Sequence, residues 1–272
     1  MKAPSLSKAM TCAVEACQAA GRIMHSHRHT AKKITSESRH DIKLELDVRC
    51  QSSIESLLKR AFPALPILGE EGVTGDMESD WRWVVDPIDG TVNFTHGIPH
   101  CCTTVALQRR IPGARNPKPA AQEETYRTEL GVILDPFTDE LWTARRGGAA
   151  RLNGRVIHAS QRNRLEQCLV GIGFAKETAT LNRMMPVWNH LIPRVRKIRI
   201  MGAAALGLAY VASGRLDAYL EYGLCLWDVA AGGLLIECAG GTFYRHPLQE
   251  PHRYQIVASN APLTRSLARF RE

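Results

Sequence analysis

Residues 84–94, VVDPIDGTVNF, close an apolar strand on two aspartates three positions apart, with Pro and Ile between them and Gly-Thr directly after. Neither carboxylate gains from an apolar neighbourhood, and a buried charge without a partner is costly. The chain must therefore fold so that this strand end meets something positive. Pro87 fixes the backbone between the acids, and Gly90 lets a ligand approach the main chain closely. A strand end of this kind is where a rigid scaffold presents functional groups.

The remaining pattern alternates helices and strands. Helical spacing of Met10, Val14, Cys17, Gly21 and Met24 predicts an amphipathic first helix. Val48, Ile54, Leu57, Leu58 and Ala61 predict a second one after Asp47, stopped by Pro63. PILGEEG reads as a short strand running into two acids, and WRWVVDP as a strand closed by the aspartate motif. CTTVALQ, ELGVILD and ELWTARR are further strands, and Asn153-Gly154 predicts a type I′ hairpin turn. Residues 110–125 hold three prolines without periodicity and read as a surface loop. The second half alternates strand QCLVGIGF, a helix over 180–192, strand VRKIRI, helix AAALGLAYVASG, strand DAYLEY, helix WDVAAGGLLIECAG and strand GTFYR. A strand QIVAS and a helix PLTRSLARF close it. Helices interleaved with strands predict an α/β protein of helices layered on sheet.

Composition narrows the function classes. A hydrophobic fraction of 44% over 272 residues is ample for a core, and no apolar run approaches a membrane span. The N-terminal stretch lacks the continuous apolar segment of a signal peptide. Eight scattered cysteines without a CxxC pair read as small core residues of a cytosolic (cytoplasmic) protein. The net charge of +8 suggests an anionic partner without identifying it. RVRKIRI at 194–200 reads as a strand with one wet basic face rather than a nucleic-acid site, and His25, His27 and His29 as a solvated turn at a helix end.

Four acids stand where elements end: Glu70 after ILG, Asp86 and Asp89 after WVV, and Asp228 at a helix start. Carboxylates with no matching Cys or His favour hard cations, Mg²⁺ above all, and the amides after Asp89 suit a phosphate. Taken singly, each piece has an ordinary reading. A DxxD in a loop is usually a solvated turn, and Asp228 complements its helix dipole. The combination, in its order along the chain, carries the stronger one.

GEEG at 69–72, DPIDGTVNF at 86–94 and WDVAAGGLLIECAGG at 227–241 closely resemble the inositol monophosphatase family of Mg²⁺-dependent, lithium-sensitive phosphatases, over about residues 10–260. The resemblance implies an αβαβα sandwich of the inositol monophosphatase and fructose-1,6-bisphosphatase type. It implies one such domain over residues 1–272, with halves of roughly 1–160 and 161–272. It further implies two or three Mg²⁺ ions per active site and a homodimer. Glu70, Asp86 and the Ile88 carbonyl match the ligands of a first ion, and Asp86, Asp89 and Asp228 those of a second. The Gly90 and Thr91 amides match the phosphate cradle. Asp47 matches the acid that works with Thr91, beside Glu70, to orient and deprotonate the attacking water. On the substrate side, Asp89, Gly202, Ala203, Ala204 and Glu221 match contacts to the alcohol.

The implied activity is hydrolysis of inositol 1-phosphate or a similar small polyol phosphate. Alternatives are a histidinol-phosphate, sugar-bisphosphate or 3′-phosphonucleotide phosphatase, or a protein that binds RNA or the transcription machinery. The chain departs from the family pattern at Leu44, where a threonine is usual, and at Ala203, which replaces a residue with a hydroxyl.

Overall fold

The computed structural model describes residues 3–30, 32–37, 42–112, 125–174 and 178–271. Helix α1 (Leu6–Ser26) is followed by two short antiparallel strands, β1 (Ile34–Glu37) and β2 (Ile42–Leu44), and by α2 (Glu45–Ala61). Next come β3 (Ile67–Gly69), β4 (Gly72–Thr74), β5 (Trp81–Asp89), the short helix α3 (Thr91–Thr95), β6 (Cys102–Arg110), β7 (Tyr126–Asp135) and β8 (Glu140–Arg145). Strands β9 (Arg151–Leu152) and β10 (Arg155–Val156) flank the Asn153-Gly154 turn. Both turn residues have positive φ, 47° and 78°, as a type I′ turn requires.

The second half runs β11 (Leu169–Ile172), α4 (Thr178–Leu191), β12 (Lys197–Arg199), α5 (Ala204–Ala212), β13 (Ala218–Cys225), α6 (Leu226–Cys238), β14 (Gly241–Pro247) and β15 (Arg253–Asn260). Strands β3 to β10 form one sheet in the order β10-β9-β8-β7-β6-β5-β3-β4, antiparallel except for the β3–β5 pair. The other sheet, β12-β11-β13-β15-β14, is parallel around β11 and antiparallel elsewhere.

Five layers result. Helices α1 and α2 pack together on one face of the large sheet. Helices α5 and α6 pair on its other face and also contact the small sheet, and α4 packs against β13. This is the αβαβα sandwich that the motifs imply. The layering explains the burial pattern: every residue of β5 is buried, because its sheet is covered on both faces. Helix α6, held between two sheets, is apolar apart from Asp228 in its first turn and Glu237 in its last. A side chain at Gly232 would run into Leu208 of α5, so that glycine permits the close helix pair.

Four expectations need correcting. Helix α2 begins at Glu45, so Asp47 lies inside its first turn; its buried stripe is Leu46, Cys50, Ile54 and Leu58, and Val48 faces solvent. The α1 face against the core centres on Ala9, Ala13, Ala16, Cys17 and Ala20, with Met10 and Val14 at its margin, because small residues allow the closest helix packing. Strand β5 does not stop before the aspartate motif but runs through it to Asp89. The expected last helix is two 3₁₀ turns, Ala261–Leu263 and Ala268–Phe270. Most of the 110–125 stretch lies outside the described residues. Six of the eight cysteines are buried and all are free. No helix among the described residues is long and apolar enough to cross a membrane.

Candidate active site

Strands β3 and β5 run parallel, so their C-terminal ends deliver Glu70 and Asp86 side by side. The Glu70 amide donates to the Val85 carbonyl at 3.2 Å. Alternation along a regular strand would turn Asp86 and Asp89 to opposite faces. Here Asp86 pairs with Thr104 and Asp89 with Cys102, so β5 spends one residue more than β6 over the same span. That bulge aims both acids the same way. Pro87 sits where a missing amide costs the ladder least, and the Ile88 amide turns back to Asp86 Oδ1 at 3.0 Å.

Gly90 follows with φ 89°, a left-handed conformation that starts α3, and a side chain there would press on the His100 carbonyl. From α5, the Ala204 and Ala205 amides donate to Asp89 Oδ1 and Oδ2 at 3.2 and 2.8 Å, and the Cys102 thiol reaches Oδ2 at 3.6 Å. Asp89 thus caps a helix from the other half of the molecule. This explains why Ala203, the residue before α5, manages without a hydroxyl. Asn93 reinforces the junction, donating to the His100 and Met201 carbonyls at 2.8 and 2.7 Å.

Asp228 and Asp47 hold equivalent places, each the third residue of its helix. Each accepts from the amide just before the helix, Asp228 from Cys225 at 2.8 Å and Asp47 from Leu44 at 2.7 Å. The dipole reading of Asp228 is therefore correct as far as Oδ2 goes, and a helix-capping acid can still present its other oxygen. Leu44 is fully buried and its side chain caps nothing; its own amide goes to Asp47.

Every residue named from the sequence except Asp47 lines one cleft of about 390 Å³: Glu70, Asp86, Ile88, Asp89, Gly90 and Thr91 from the large-sheet side, Gly202, Ala203, Ala204, Glu221 and Asp228 from the other. Asp47 is buried but does not line it. The Thr91 hydroxyl donates to the Ile88 carbonyl at 2.9 Å. Asn93, Phe174, Ile200, Tyr219 and Leu224 also line the cleft and were not singled out. The signal for Tyr219 was available: two positions before Glu221 in a strand, it shares that residue's face.

Among the described residues no Lys, Arg or His lines this cleft. Burial, then the charges of Glu70, Asp89 and Asp228, push Asp86 well above the ordinary carboxylate range. Of the three, Glu70 acts most strongly, and the neutral form of Asp86 is favoured. Burial and the neighbouring acids, Asp89 first, likewise raise Asp228. Asp89 is raised only to about 6, because the α5 amides offset part of its burial. Glu221 rises to about 7, mainly by burial. No three His, Cys, Asp or Glu side chains among the described residues already form a ligation shell. Like charges facing one cleft hold apart in just this way. Clustered carboxyls with oxygen donors and no basic neighbour are a donor set that fits a hard divalent cation.

Comparison with known proteins agrees. The model of the inositol monophosphatase family matches residues 5–269. The Nus factor SuhB of Pseudomonas aeruginosa is 37% identical over 271 residues, covering 95% of this chain and 93% of the relative. The inositol-1-monophosphatase of Rhizobium meliloti is 40% identical over 210 residues, 74% of this chain and 71% of the relative. The crystal structure of the extragenic suppressor protein suhB from Bartonella henselae superposes with a TM-score of 0.85 at 31% identity, covering 96% and 97% of the two chains.

Proposed function

This chain belongs to the inositol monophosphatase family, and on that premise we propose that it is a Mg²⁺-dependent phosphomonoesterase acting on inositol 1-phosphate or a similar small polyol phosphate. The observation that carries this reading is the cleft itself: five acids line it, and among the described residues no basic side chain answers them. Glu70, Asp86 and the Ile88 carbonyl would hold one ion, and Asp86, Asp89 and Asp228 another. When bound, Mg²⁺ supplies Lewis acidity, lowering the pKa of water and neutralising charge on the ester oxygens.

The chain's own residues do the rest. The amides of Gly90 and Thr91, set by the left-handed turn at Gly90, receive the phosphate oxygens. Thr91 accepts the proton of the attacking water and passes it towards Asp47, acting beside Glu70. For that, the Thr91 hydroxyl must leave the Ile88 carbonyl, its acceptor here. Asp89, fixed by α5, and Glu221 receive hydroxyls of the alcohol, and the 202–204 backbone forms the opposite wall. Ile200, Phe174 and Leu224 exclude water from the alcohol side.

The test is phosphate release by purified protein from inositol 1-phosphate, with Mg²⁺ and with EDTA. Inositol 2-phosphate, histidinol phosphate, fructose 1,6-bisphosphate and adenosine 3′,5′-bisphosphate run in parallel. Preference for another ester would keep the metal site and discard the polyol assignment. Sedimentation of the same sample tests the homodimer.

A second reading rests on the 37% identity to a protein named a Nus factor and on the net charge of +8: binding to RNA or the transcription machinery. Salt-dependent RNA binding that survives Asp86→Asn would support it. RNA binding absent at low salt would remove it.

A further inference from the structure

Tyr219 and Glu221 stand two apart on β13, and both side chains enter the cleft. The Tyr219 hydroxyl donates to Glu221 Oε2 at 2.5 Å. The tyrosine is only 4% exposed, and its ring occupies the space that side chains at Gly171 and Gly207 would fill, 2.6 and 2.5 Å from the would-be Cβ atoms. The Glu221 carboxylate in turn lies over Gly173, where a Cβ would collide with Oε2. Three glycines on β11, the segment after it, and α5 therefore make room for one tyrosine–glutamate pair. A hydrogen-bonded pair so enclosed has little rotational freedom, and its geometry is set before any substrate arrives.

Resting on the reading of the cleft as a phosphatase site, we propose that Tyr219 is a positioning residue that sets its leaving-group specificity. It holds Glu221 by Oε2, so that Oε1 accepts a single hydroxyl from the alcohol part of a phosphate monoester. A carboxylate free to rotate could grip a vicinal diol with both oxygens; this one offers one fully available oxygen in a fixed direction. Ile200, Phe174 and Leu224 on the same cleft supply apolar contact to the carbon face beside that hydroxyl. The alcohol that fits is a cyclic polyol, with a hydroxyl at its rim and C–H bonds on its face.

Steady-state kinetics on inositol 1-phosphate and on p-nitrophenyl phosphate, which has no hydroxyl for Glu221, tests this. The variants are Tyr219→Phe, Glu221→Gln and the double variant. In Tyr219→Phe the ratio of kcat/KM for the inositol ester over the aryl ester falls about 10-fold, mostly through KM. In the Glu221→Gln background the same tyrosine change leaves the ratio where Glu221→Gln put it, because the tyrosine acts through the glutamate. Gly173→Ala, whose Cβ would displace the Glu221 carboxylate, lowers the ratio too and stands in if Tyr219→Phe folds poorly. An unchanged ratio in Tyr219→Phe and Gly173→Ala, with wild-type turnover intact, overturns this inference and leaves the proposed function standing. So do independent, additive effects of the tyrosine and glutamate changes. Wild-type protein silent on both esters overturns the proposed function and this inference with it.

Discussion

Asp217 and Asp86 are both aspartates buried at strand ends, yet the protein treats them in opposite ways. Asp217, fully buried at the start of β13, is surrounded by donors: the Leu169 amide at 2.7 Å, the Arg162 guanidinium at 2.9 Å and the Ser160 hydroxyl. Its backbone carbonyl accepts from Asn260 at 2.9 Å, so it ties β11, β13 and the end of β15 together. Asp86, 1% exposed, faces three further acids, which together with its burial favour its neutral form. A buried acid whose donors come from the fold is a structural fastener. A buried acid left among other acids is held for something that arrives from solution.

The contrast can be broken experimentally, and the largest effect should fall on turnover. Asp89→Asn keeps the shape and the acceptor for Ala204, but removes the charge that a cation needs. We expect kcat/KM on inositol 1-phosphate to fall about 10³-fold, with stability lowered only by the one hydrogen bond, from the Ala205 amide, that an amide nitrogen cannot accept, about 1–2 kcal/mol. Retention of more than a tenth of the activity would mean that the carboxylate cluster is not the catalytic centre.

Asp217→Ala should do the reverse: about 3 kcal/mol lost in urea denaturation, because three donors lose a buried acceptor. Turnover per folded molecule should persist at low temperature. A stability loss in Asp89→Asn as large as that in Asp217→Ala would erase the distinction.

A third test uses pH. Asp89 and Glu221 have folded values of about 6 and about 7, above the ~4 of an unfolded carboxyl. Between those limits the folded protein in EDTA holds protons that the unfolded chain has released. Its stability should therefore fall as pH rises from about 4 to about 7, and stay low above that. Mg²⁺ binds the ionised carboxylates and should restore stability at pH 8, by about 2.7 kcal/mol at a hundred times its Kd. Thermal melts across pH, with EDTA and with Mg²⁺, check both limbs; parallel curves would rule out cation binding by this cluster.

The smallest effect is Asp228→Asn in EDTA. The amide oxygen still caps α6 while the cost of burying an acid among other acids is gone, so the Tm should rise, corresponding to about 1 kcal/mol. A fall would show that the acid is there for the helix alone.

Much of the cleft could be read from the chain because its acids lie in short motifs, and short motifs carry their own geometry. GEEG and DPIDGT each end a strand, and WDVAAGG opens a helix, so the places of Glu70, Asp86, Asp89 and Asp228 follow from local rules of strand and helix ends. The bulge that turns Asp86 and Asp89 the same way was not legible, since it depends on register against β6. Nor was the capping of α5 by Asp89, which joins residues 115 positions apart. Tyr219 was passed over because a tyrosine in an apolar strand looks like core until Gly171 and Gly207 are seen to make its seat.

By itself, the sequence determined the alternation of helices and strands, the family, and which acids stand where elements end. These depend on periodicity and near neighbours, which one chain displays in order. Tertiary structure alone decided that Asp89 caps α5, that the two sheets share α5 and α6 between them, and that Asp217 finds a guanidinium where Asp86 finds other acids. Burial and charge pairing are properties of residues far apart in the chain, and only folding brings them within range of one another.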